Sequence, residues 1–337
     1  MTRDPLRVLQ SVRLGGREAS YMDHVAAGFG PEVRPMAFSY QTALAGRWDV
    51  FHVHWPESLL RHPSRLRRLL RRTLFALLVL RIAVTRGPVV RTVHNVRPHE
   101  PGPAVERWLL RRLDRRVGTW VRLNPVTTTP TDVPVVTIPH GHYVHELTDG
   151  AGRPPDPEPS RLLFFGFIRP YKGVEELIGV VAGMSDPEIR LTVAGKPASE
   201  ASRAAVEAAR AGDERIDLRL EFVPDDELGM LVAGAALVVL PYREMHNSGA
   251  VFAALSAGRP VLVERNAVTT ELQSELGDDW IVLFDDRVDA TDLRVALLRA
   301  AERDPTAHPD LSGRSWPEVA ERYADVYRDL TDGRSGR

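Results

Sequence analysis

The sequence predicts two consecutive α/β domains, each a doubly wound parallel β-sheet with helices on both faces. Three observations support this fold class. The chain has 337 residues, enough for two domains with separate cores. Short Val/Leu/Ile runs alternate with helical patterns along its whole length. These runs are continuously apolar rather than alternating, as expected for parallel strands that are covered on both faces.

The first half carries four such apolar runs and three helical patterns. The predicted strands are Leu6–Val12, Val50–Trp55, Val89–His94 and Val135–Pro139. The predicted helices are Ala19–Phe29, Ser64–Val84 and Pro103–Arg116. After them, a segment rich in Pro, Gly and acidic residues disfavours both helix and strand, which indicates an interdomain linker.

The alternation then restarts. The predicted strands of the second half are Arg161–Gly166, Ile189–Ala194, Leu218–Val223, Leu237–Pro241, Pro260–Glu264 and Ile281–Phe284. The predicted helices include Val174–Gly183 and Ala201–Ala211. The sequence therefore predicts a first domain over residues 1–150, a linker over 151–160 and a second domain over 161–312, followed by a final segment over 313–330.

Composition excludes several classes of protein. With 43% apolar and 26% charged residues, the chain matches a globular protein rather than a disordered or collagen-like one. The absence of cysteine excludes thiol catalysis, cysteine-ligated zinc and iron–sulfur clusters. The longest uninterrupted apolar stretch, Leu74–Leu80, is far short of the roughly 20 residues that span a bilayer. The first residues lack an apolar signal core, so a cytoplasmic protein is expected.

Charge is divided unequally between the halves. Residues 1–150 carry a net charge of +10 and residues 151–337 a net charge of −11. This asymmetry predicts two domains with different partners, the basic one suited to phosphates or an anionic membrane. Only Lys172 and Lys196 among the 44 basic residues are lysines.

The first candidate site lies between a predicted strand and a predicted helix. Gly166 ends the strand and allows close approach of a ligand to the backbone, and Arg169 and Lys172 follow on one loop. A guanidinium can bond two phosphate oxygens, an ammonium adds a point charge, and the helix amino terminus adds attraction. This pattern suits a diphosphate. The alternative is a pair of solvated cations on a surface loop.

The second candidate site follows the strand that ends at Pro241. Asn247 or Ser248 can cap the next helix, and Gly249 and Ala250 leave backbone N–H groups available to an anion. The alternative is a plain helix cap, with the helix packed on the sheet through its small residues.

Together these two loops resemble the donor site of nucleotide-sugar glycosyltransferases with the GT-B architecture, especially those of the family 4 type. The resemblance covers nearly the whole chain and is strongest at 166–173 and 258–261. The segment Ser315–Tyr327 resembles the closing helix of that family, which packs back toward the first domain. The resemblance implies two facing Rossmann-like domains with a cleft between them, the first for the acceptor and the second for the nucleotide sugar.

Site residues also follow from the resemblance. It implies that Arg169, Lys172 and the backbone amides of Ser248, Gly249 and Ala250 bind the donor diphosphate. It further implies donor sugar or nucleotide contacts from Gly166, Val223, Glu227, Glu244, Asn247 and His140. Many family 4 enzymes carry two glutamates eight positions apart. Here those positions are Met245 and Ala253, so the usual ribose carboxylate is absent from this sequence.

Histidines concentrate after the strands of the first half. A neutral imidazole or a carboxylate there could accept the proton of an acceptor hydroxyl, and the candidates for this catalytic base are His94, Glu100 and Glu57. The predicted acceptor-side residues are Gly15, Gly16, His54, Trp55, Asn95 and His99. The alternatives are buried packing histidines and, for the glycine pair, an ordinary tight turn.

No Asp-x-Asp sequence and no paired-histidine metal motif occurs in the chain. The two cations of the first loop can offset the charge of a departing diphosphate. We therefore predict a metal-independent enzyme that uses no cofactor besides its nucleotide-sugar co-substrate.

Arginines accumulate on two predicted helices of the first half. They are Arg61, Arg65, Arg67, Arg68, Arg71 and Arg72 before the Leu74–Leu80 run, and Arg111, Arg112, Arg115 and Arg116 on the second helix. Such helices can lie on anionic lipid, and the alternative is a solvated face over a buried core. Nucleic acid is not expected as a partner, because exposed aromatics are not interleaved with the arginines. A peripheral position on the inner face of the cell membrane is predicted.

The leading functional prediction is transfer of a hexose from a UDP- or GDP-sugar to a glycan or lipid-linked acceptor. Two alternatives remain at this point: a nucleotide-sugar epimerase of the same fold, and a non-catalytic membrane-associated module.

Overall fold

Each half of the chain folds around a six-stranded parallel sheet. The computed structural model describes residues 4–15, 21–94, 102–144, 155–304 and 306–335. The chain divides into two units: Met1–Gly141 with Gly313–Arg337, and His142–Ser312. The boundary therefore lies at residue 141 rather than at the predicted residue 150, and the final segment is part of the first unit.

The first unit has its strands in the order β2-β1-β3-β4-β5-β6. These strands are β1 Leu6–Gln10, β2 Val33–Met36, β3 Val50–Val53, β4 Val89–Val93, β5 Thr119–Arg122 and β6 Val135–Thr137. Its helices are α1 Tyr21–Gly28, α2 Tyr40–Ala45, α3 Pro56–Leu60, α4 Arg65–Thr85, α5 Ala104–Asp114 and the carboxyl-terminal α12 Trp316–Ser335. Phe51, Phe75 and Trp120 lie in its core.

The second unit has its strands in the order β12-β11-β10-β7-β8-β9. The strands are β7 Glu158–Phe165, β8 Arg190–Ala194, β9 Ile216–Arg219, β10 Ala235–Leu240, β11 Val261–Glu264 and β12 Ile281–Phe284. The helices are α6 Val174–Gly183, α7 Glu200–Arg210, α8 Asp225–Gly234, α9 Gly249–Ser256, α10 Ala267–Leu276 and α11 Ala290–Glu302, with a 3₁₀ turn at Pro170–Lys172. In the central strands, the last four residues of β7 and all residues of β10 are buried.

The start of β7 and the end of β9 differ from their predicted positions. Strand β7 begins at Glu158, inside the predicted linker 151–160, although Pro159 follows. A proline near the start of a strand loses few ladder hydrogen bonds, and Glu158 already pairs with Ala235 of β10. Strand β9 ends at Arg219, so most of the predicted strand Leu218–Val223 is loop.

Helix α12 supplies core side chains to the first unit. Tyr323 and Tyr327 are fully buried. Helix α1 approaches α12 so closely that a Cβ at Gly28 would lie 2.6 Å from the carbonyl oxygen of Trp316. Glycine is needed at this crossing because any side chain would push the two helices apart.

Within the described ranges, none of the helices combines the length and the apolar composition required to traverse a bilayer.

Candidate active site

The two predicted donor loops meet because β7 and β10 are neighbours in the second sheet. In a parallel sheet, loops that follow adjacent strands emerge at the same edge. Gly166 directly follows β7 and has a φ of +108°, which favours glycine. A Cβ there would lie 3.4 Å from the Lys172 ammonium. The glycine thus leaves open space beside Lys172.

Lys172 lies at the end of the 3₁₀ turn, and its ammonium donates a 3.1 Å hydrogen bond to the Tyr242 hydroxyl. It also lies 4.5 Å from the centre of the tyrosine ring. Burial, with a contribution from nearby Arg169, lowers the pKa of Lys172 to about 8. No carboxylate of the described ranges forms an ion pair with Lys172. Its positive charge is therefore not compensated, and a bound anion would compensate it.

Arg169 begins the turn and is exposed, with its guanidinium 6.0 Å from the Phe167 ring. It too has no ion-pair partner within the described part of the chain. The structure therefore brings the two predicted cations onto one short loop, as their spacing suggested. Two unneutralised cations on one loop suit a diphosphate better than a monovalent anion.

The loop of Lys172 is fixed against the loop after β10. Gly173 has a φ of +64°, and a Cβ there would lie 2.5 Å from the carbonyl oxygen of Pro241. The Arg243 amide donates a 2.9 Å hydrogen bond to the Tyr171 carbonyl. These backbone contacts fix the positions of Lys172 and Tyr242 relative to each other.

Helix α9 begins beside this pair. Ser248 is its N-cap residue, and the Ser248 side chain makes no capping hydrogen bond. The first amides of an α-helix have no partner within the helix, so those of Gly249 and Ala250 are suited to an anion. Lys172 and the start of α9 thus lie on the two loops that follow the neighbouring strands β7 and β10.

The other predicted donor residues are more dispersed. Glu244 is exposed and Asn247 is half-buried on the same loop. Val223 packs on the core after β9, and Glu227 forms a 2.7 Å ion pair with Arg219. Glu227 is therefore already engaged in this structure.

The two positions at which many family 4 enzymes carry glutamate hold buried apolar residues in this protein. Met245 is 5% exposed and Ala253 is 8% exposed. Next to Met245, His246 is half-buried and its Nε2 atom has no hydrogen-bond partner. A single histidine in a loop gave no sequence signal, so His246 was not among the predicted residues.

The first unit gathers histidines at the carboxyl ends of two adjacent strands, β3 and β4, and Gln10 lies at the end of β1, which neighbours β3. His52, His54 and His94 are all buried. His54 Nδ1 lies 2.9 Å from His94 Nε2, and His54 Nε2 lies 3.0 Å from Gln10 Oε1. Trp55 stacks on the His94 ring with 4.0 Å between centroids.

The hydrogen bonds of this histidine cluster fix the ring protons. Gln10 Oε1 can only accept, so His54 donates from Nε2. The neutral His54 ring then has an unprotonated Nδ1, which accepts from His94 Nε2. The unprotonated nitrogen of His94 is therefore Nδ1.

The cluster continues into α12. The Gln10 amide donates to the Tyr327 hydroxyl at 3.5 Å, and Tyr327 in turn donates to His52 Nδ1 at 2.7 Å. His52 Nε2 then donates to the Thr92 hydroxyl at 2.8 Å, which lies 3.1 Å from the Tyr323 hydroxyl. Gln10, Thr92, Tyr323 and Tyr327 were not among the predicted site residues. Their roles depend on strand adjacency and on a helix at the other end of the chain.

Burial holds these rings neutral. Desolvation, with mutual repulsion among neighbouring histidines, lowers the pKa of His52, His54 and His94 well below the usual value. Burial also lowers the pKa of His140 to about 4. All four histidines are therefore neutral near pH 7.

We expect acid to destabilise the protein through these histidines. In the unfolded chain they take up protons below their ordinary pKa of about 6.5, whereas the folded rings stay neutral. The free energy of unfolding should then fall below pH 6.5 by up to about 1.4 kcal/mol per pH unit for each ring. Denaturant titrations at several pH values measure this slope. His52→Gln should reduce it and the exposed His308→Gln should not; equal slopes in both variants would contradict the assignment.

Two further predicted residues of the first unit, Glu57 and Gly15, make contacts with residues outside the His54–His94 pair. Glu57 is in the first turn of α3 and interacts electrostatically with Arg91. Gly15 donates its amide to Asp23 at 2.7 Å, which ties the loop after β1 to α1. Gly16, Asn95, His99 and Glu100 lie outside the described residues.

His140, predicted on the donor side, lies in the first unit. Its Nδ1 atom is 2.8 Å from the Gly141 carbonyl oxygen, and its ring packs against Tyr21 and Trp316. The structure therefore groups His140 with the aromatic surroundings of His94, whose ring also contacts Tyr21.

Among the residues that the structure describes, no three His, Asp or Glu side chains are grouped so that they could hold a metal ion.

Comparison with known proteins identifies the family. The family model described as "Glycosyl transferases group 1" matches residues 159–302. A GDP-mannose:glycolipid 4-beta-D-mannosyltransferase of Xanthomonas campestris pv. campestris is 41% identical over 313 residues, covering 91% of this chain and 87% of that protein.

Solved structures show the same fold at low sequence identity. A sucrose-phosphate synthase from Thermosynechococcus elongatus aligns with a TM-score of 0.62 and 14% identity, over 98% of this chain and 100% of the other. An α,α-trehalose 6-phosphate synthase from Burkholderia multivorans aligns with a TM-score of 0.66 and 10% identity, over 98% and 100%. The predicted fold class and enzyme class are thus confirmed. The chain belongs to the group 1 glycosyltransferases of the GT-B fold, and it is a sugar-transferring enzyme.

Proposed function

We propose that this glycosyltransferase moves a mannosyl residue from GDP-mannose to a glycolipid and forms a β-linkage. The observation that carries the proposal is the 41% identity, over 91% of the chain, to a GDP-mannose:glycolipid 4-beta-D-mannosyltransferase. Lys172 and Arg169, which form no ion pair with any residue that the structure describes, support a diphosphate-bearing donor.

Donor binding belongs to the second unit in this proposal. The Lys172 ammonium and the Arg169 guanidinium bind the diphosphate, and the amides of Gly249 and Ala250 add hydrogen bonds. As the bond to the sugar breaks, negative charge builds on the diphosphate. Preorganised cations stabilise that charge without a metal ion.

The proposed β-configuration of the product determines how the chemical step proceeds. The mannosyl–phosphate bond of GDP-mannose is α, so a β-product requires inversion by a single displacement. The acceptor hydroxyl oxygen bonds to the anomeric carbon, the carbon–oxygen bond to the diphosphate breaks, and GDP leaves with that electron pair. The hydroxyl proton passes to a base, which we assign to His94 Nδ1 because the hydrogen bonds through His54 leave that atom unprotonated.

A donor panel tests this function. Purified enzyme should release GDP from GDP-mannose in the presence of a mannose-accepting glycolipid, and should turn over UDP-glucose far more slowly. NMR of the product should show a β-mannoside, and EDTA should leave the rate unchanged. A preference for a UDP-sugar, an α-product or a loss of rate in EDTA would each overturn the corresponding part of the proposal.

We also propose that α4 attaches the enzyme to an anionic membrane surface. Helix α4 is apolar on two opposite faces: Phe75, Leu78 and Ile82 enter the core, while a second set of apolar side chains is exposed. This exposed set, the leucine stripe, consists of Leu66, Leu69, Leu70, Leu77, Leu80 and Val84.

The leucine stripe has the dimensions of a membrane-binding face. At 100° per residue its members fall within an arc of about 100°, and they extend over about 27 Å. Leu66 is 80% exposed and Val84 is 75% exposed, which is unusual for such a continuous apolar row. Arginines border it, so the face combines apolar insertion with attraction to anionic lipid. The predicted position on the inner face of the cell membrane would follow.

Sedimentation with lipid vesicles tests the attachment. Leu70→Asp with Leu77→Asp should lower the bound fraction on phosphatidylcholine–phosphatidylglycerol vesicles at least tenfold, since two apolar contacts become charged. The matched control is Leu298→Asp, at a position 64% exposed on α11 of the second unit. Equal binding of the stripe variant and the control would contradict the proposal.

A further inference from the structure

The proposed base, His94, belongs to a buried hydrogen-bonded chain, and Gln10 lies in the middle of that chain. His94 Nε2 is 2.9 Å from His54 Nδ1, and His54 Nε2 is 3.0 Å from Gln10 Oε1. Gln10 is 0% exposed, and both histidines are buried. The Gln10 amide nitrogen donates to the Tyr327 hydroxyl at 3.5 Å. Gln10 therefore connects the two rings to helix α12.

The backbone fixes where these three side chains begin. Gln10 is the last residue of β1 and pairs with His52 of β3. His54 directly follows β3, and its amide donates to the Ser11 hydroxyl at 2.8 Å. His94 directly follows β4, the next strand of the same sheet. Side chains that are anchored on neighbouring strands keep their relative positions better than side chains on long loops.

The Gln10 amide determines the direction of the hydrogen bonds, because its oxygen only accepts and its nitrogen only donates. With the oxygen toward His54, the His54 proton is on Nε2, and His94 donates from its own Nε2 to His54 Nδ1. If the amide were turned over, His54 would carry its proton on Nδ1. His94 would then accept at Nε2 and hold its proton on Nδ1, where it prevents that atom from acting as a base.

We propose that Gln10 is a positioning residue for the catalytic base. It holds His54 in the form that is protonated on Nε2, and His54 in turn holds His94 with an unprotonated Nδ1. A base that is oriented by a second group, which a third group orients, is a recurring arrangement in enzymes. This inference rests on the proposed role of His94 as the base, and it is independent of the identity of the donor.

A neutral amide suits this position better than a carboxylate would. The titratable groups packed around the chain are His52 of β3, His140 after β6, Tyr21 of α1, and Tyr323 and Tyr327 of α12. Burial and neighbouring histidines lower the pKa of His54 and His94, and no carboxylate of the described ranges opposes this. A carboxylate beside His54 would favour its doubly protonated form. That form donates from Nδ1 and would reverse the tautomer of His94.

The ring protons can be measured directly by NMR of protein with ¹⁵N-labelled histidine. In the wild-type protein, His54 and His94 should each show a protonated Nε2 and an unprotonated Nδ1. His54→Gln and His94→Gln identify the two sets of signals. A protonated Nδ1 on either ring in the wild-type protein would overturn the inference. The measurement needs no substrate, so its result does not depend on the proposed donor or acceptor.

Gln10→Met tests the role of Gln10 in the reaction, because methionine has a similar volume but cannot fix the His54 proton. We expect kcat to fall about 10- to 100-fold while the KM for the donor stays unchanged. The matched control is Thr127→Val, which also removes one buried hydrogen bond from the first unit, 2.8 Å long, to Asn124 Oδ1. Both variants should unfold at lower denaturant concentration, but only Gln10→Met should lose kcat. A wild-type kcat in Gln10→Met would overturn the role.

Gln10→Glu tests the direction of the chain through the pH profile. The new carboxylate should stabilise a second proton on His54, and the ¹⁵N spectrum should then show the His94 proton on Nδ1. We expect kcat at pH 7 to be at least about tenfold below wild type and to rise with pH as His54 loses that proton. A reversed His94 tautomer with a wild-type kcat and pH profile would overturn the inference.

Failure of the inference is distinguishable from failure of the proposed function. Preference for another donor would overturn the proposed donor, and the variants are then compared with the preferred donor. A wild-type kcat in His94→Gln would overturn the base and the role of Gln10 together. A low kcat in His94→Gln with a wild-type kcat in both Gln10 variants would retain the base and overturn the role of Gln10 alone.

Discussion

Lys172→Ala should lower the affinity for GDP-mannose by about 10- to 100-fold, because one diphosphate charge loses a partly buried, hydrogen-bonded partner. Isothermal titration calorimetry with the non-reacting product GDP or with the intact donor measures the change. The effect should be large since Lys172 has no carboxylate in the described ranges to share its charge, and its neighbour Tyr242 is neutral.

The chain supplies its own control, Lys196, the other lysine, which is exposed. Lys196→Ala should leave donor affinity unchanged. If both variants bind the donor as wild type does, the diphosphate site is wrongly placed.

The pH dependence of donor binding gives an independent check on Lys172. Its pKa of about 8 means that the free enzyme loses this positive charge as the pH rises through 8. Donor affinity should therefore be constant below pH 7 and should fall above pH 8. Lys172→Arg keeps its charge throughout this range. A similar decline in that variant would assign the titration to another group.

His94→Gln should lower kcat by about 10²- to 10⁴-fold, the range typical for loss of a general base, while the affinity for GDP-mannose stays unchanged. Glutamine retains hydrogen-bonding groups but cannot accept the hydroxyl proton. Initial rates at saturating donor and acceptor, with donor titrations on the same preparations, separate the two quantities.

The matched substitution is His308→Gln, at an exposed histidine of the second unit. It should leave both kcat and donor affinity unchanged. A His94→Gln enzyme with wild-type kcat would transfer the role of base to another group, and Glu57 and Glu100 would then be the next residues to replace.

Elements with local signals could be predicted from the sequence. Helix α6 has the predicted bounds because a glycine directly precedes it. Strand β12 has the predicted bounds because it consists of a short Ile/Val/Leu/Phe run. Strand β2 was not predicted because Arg34 and Pro35 interrupt its apolar residues. It lies at the edge of the sheet, where a polar side chain and a proline are both compatible with strand pairing. Helix α10 was missed although Asn266 and Thr269 form a capping box at its start.

The site was predictable where its residues are close in the chain. Arg169 and Lys172 share one loop, so their spacing alone placed them together. Tyr242 is 70 residues from Lys172, and only the adjacency of β7 and β10 joins them. Tyr327 is 275 residues from His52. No local pattern could have shown that a carboxyl-terminal tyrosine completes the hydrogen bonds of that histidine.

The first unit is assembled from both ends of the chain, residues 1–141 and 313–337. During synthesis on the ribosome, the second unit is therefore complete before α12 has left the exit tunnel. Until then, His52 has no Tyr327 to bond, and the face of the sheet that α12 will cover stays open to water. The second unit can therefore fold before the first, and the emergence of α12 from the ribosome is the event that completes the first unit.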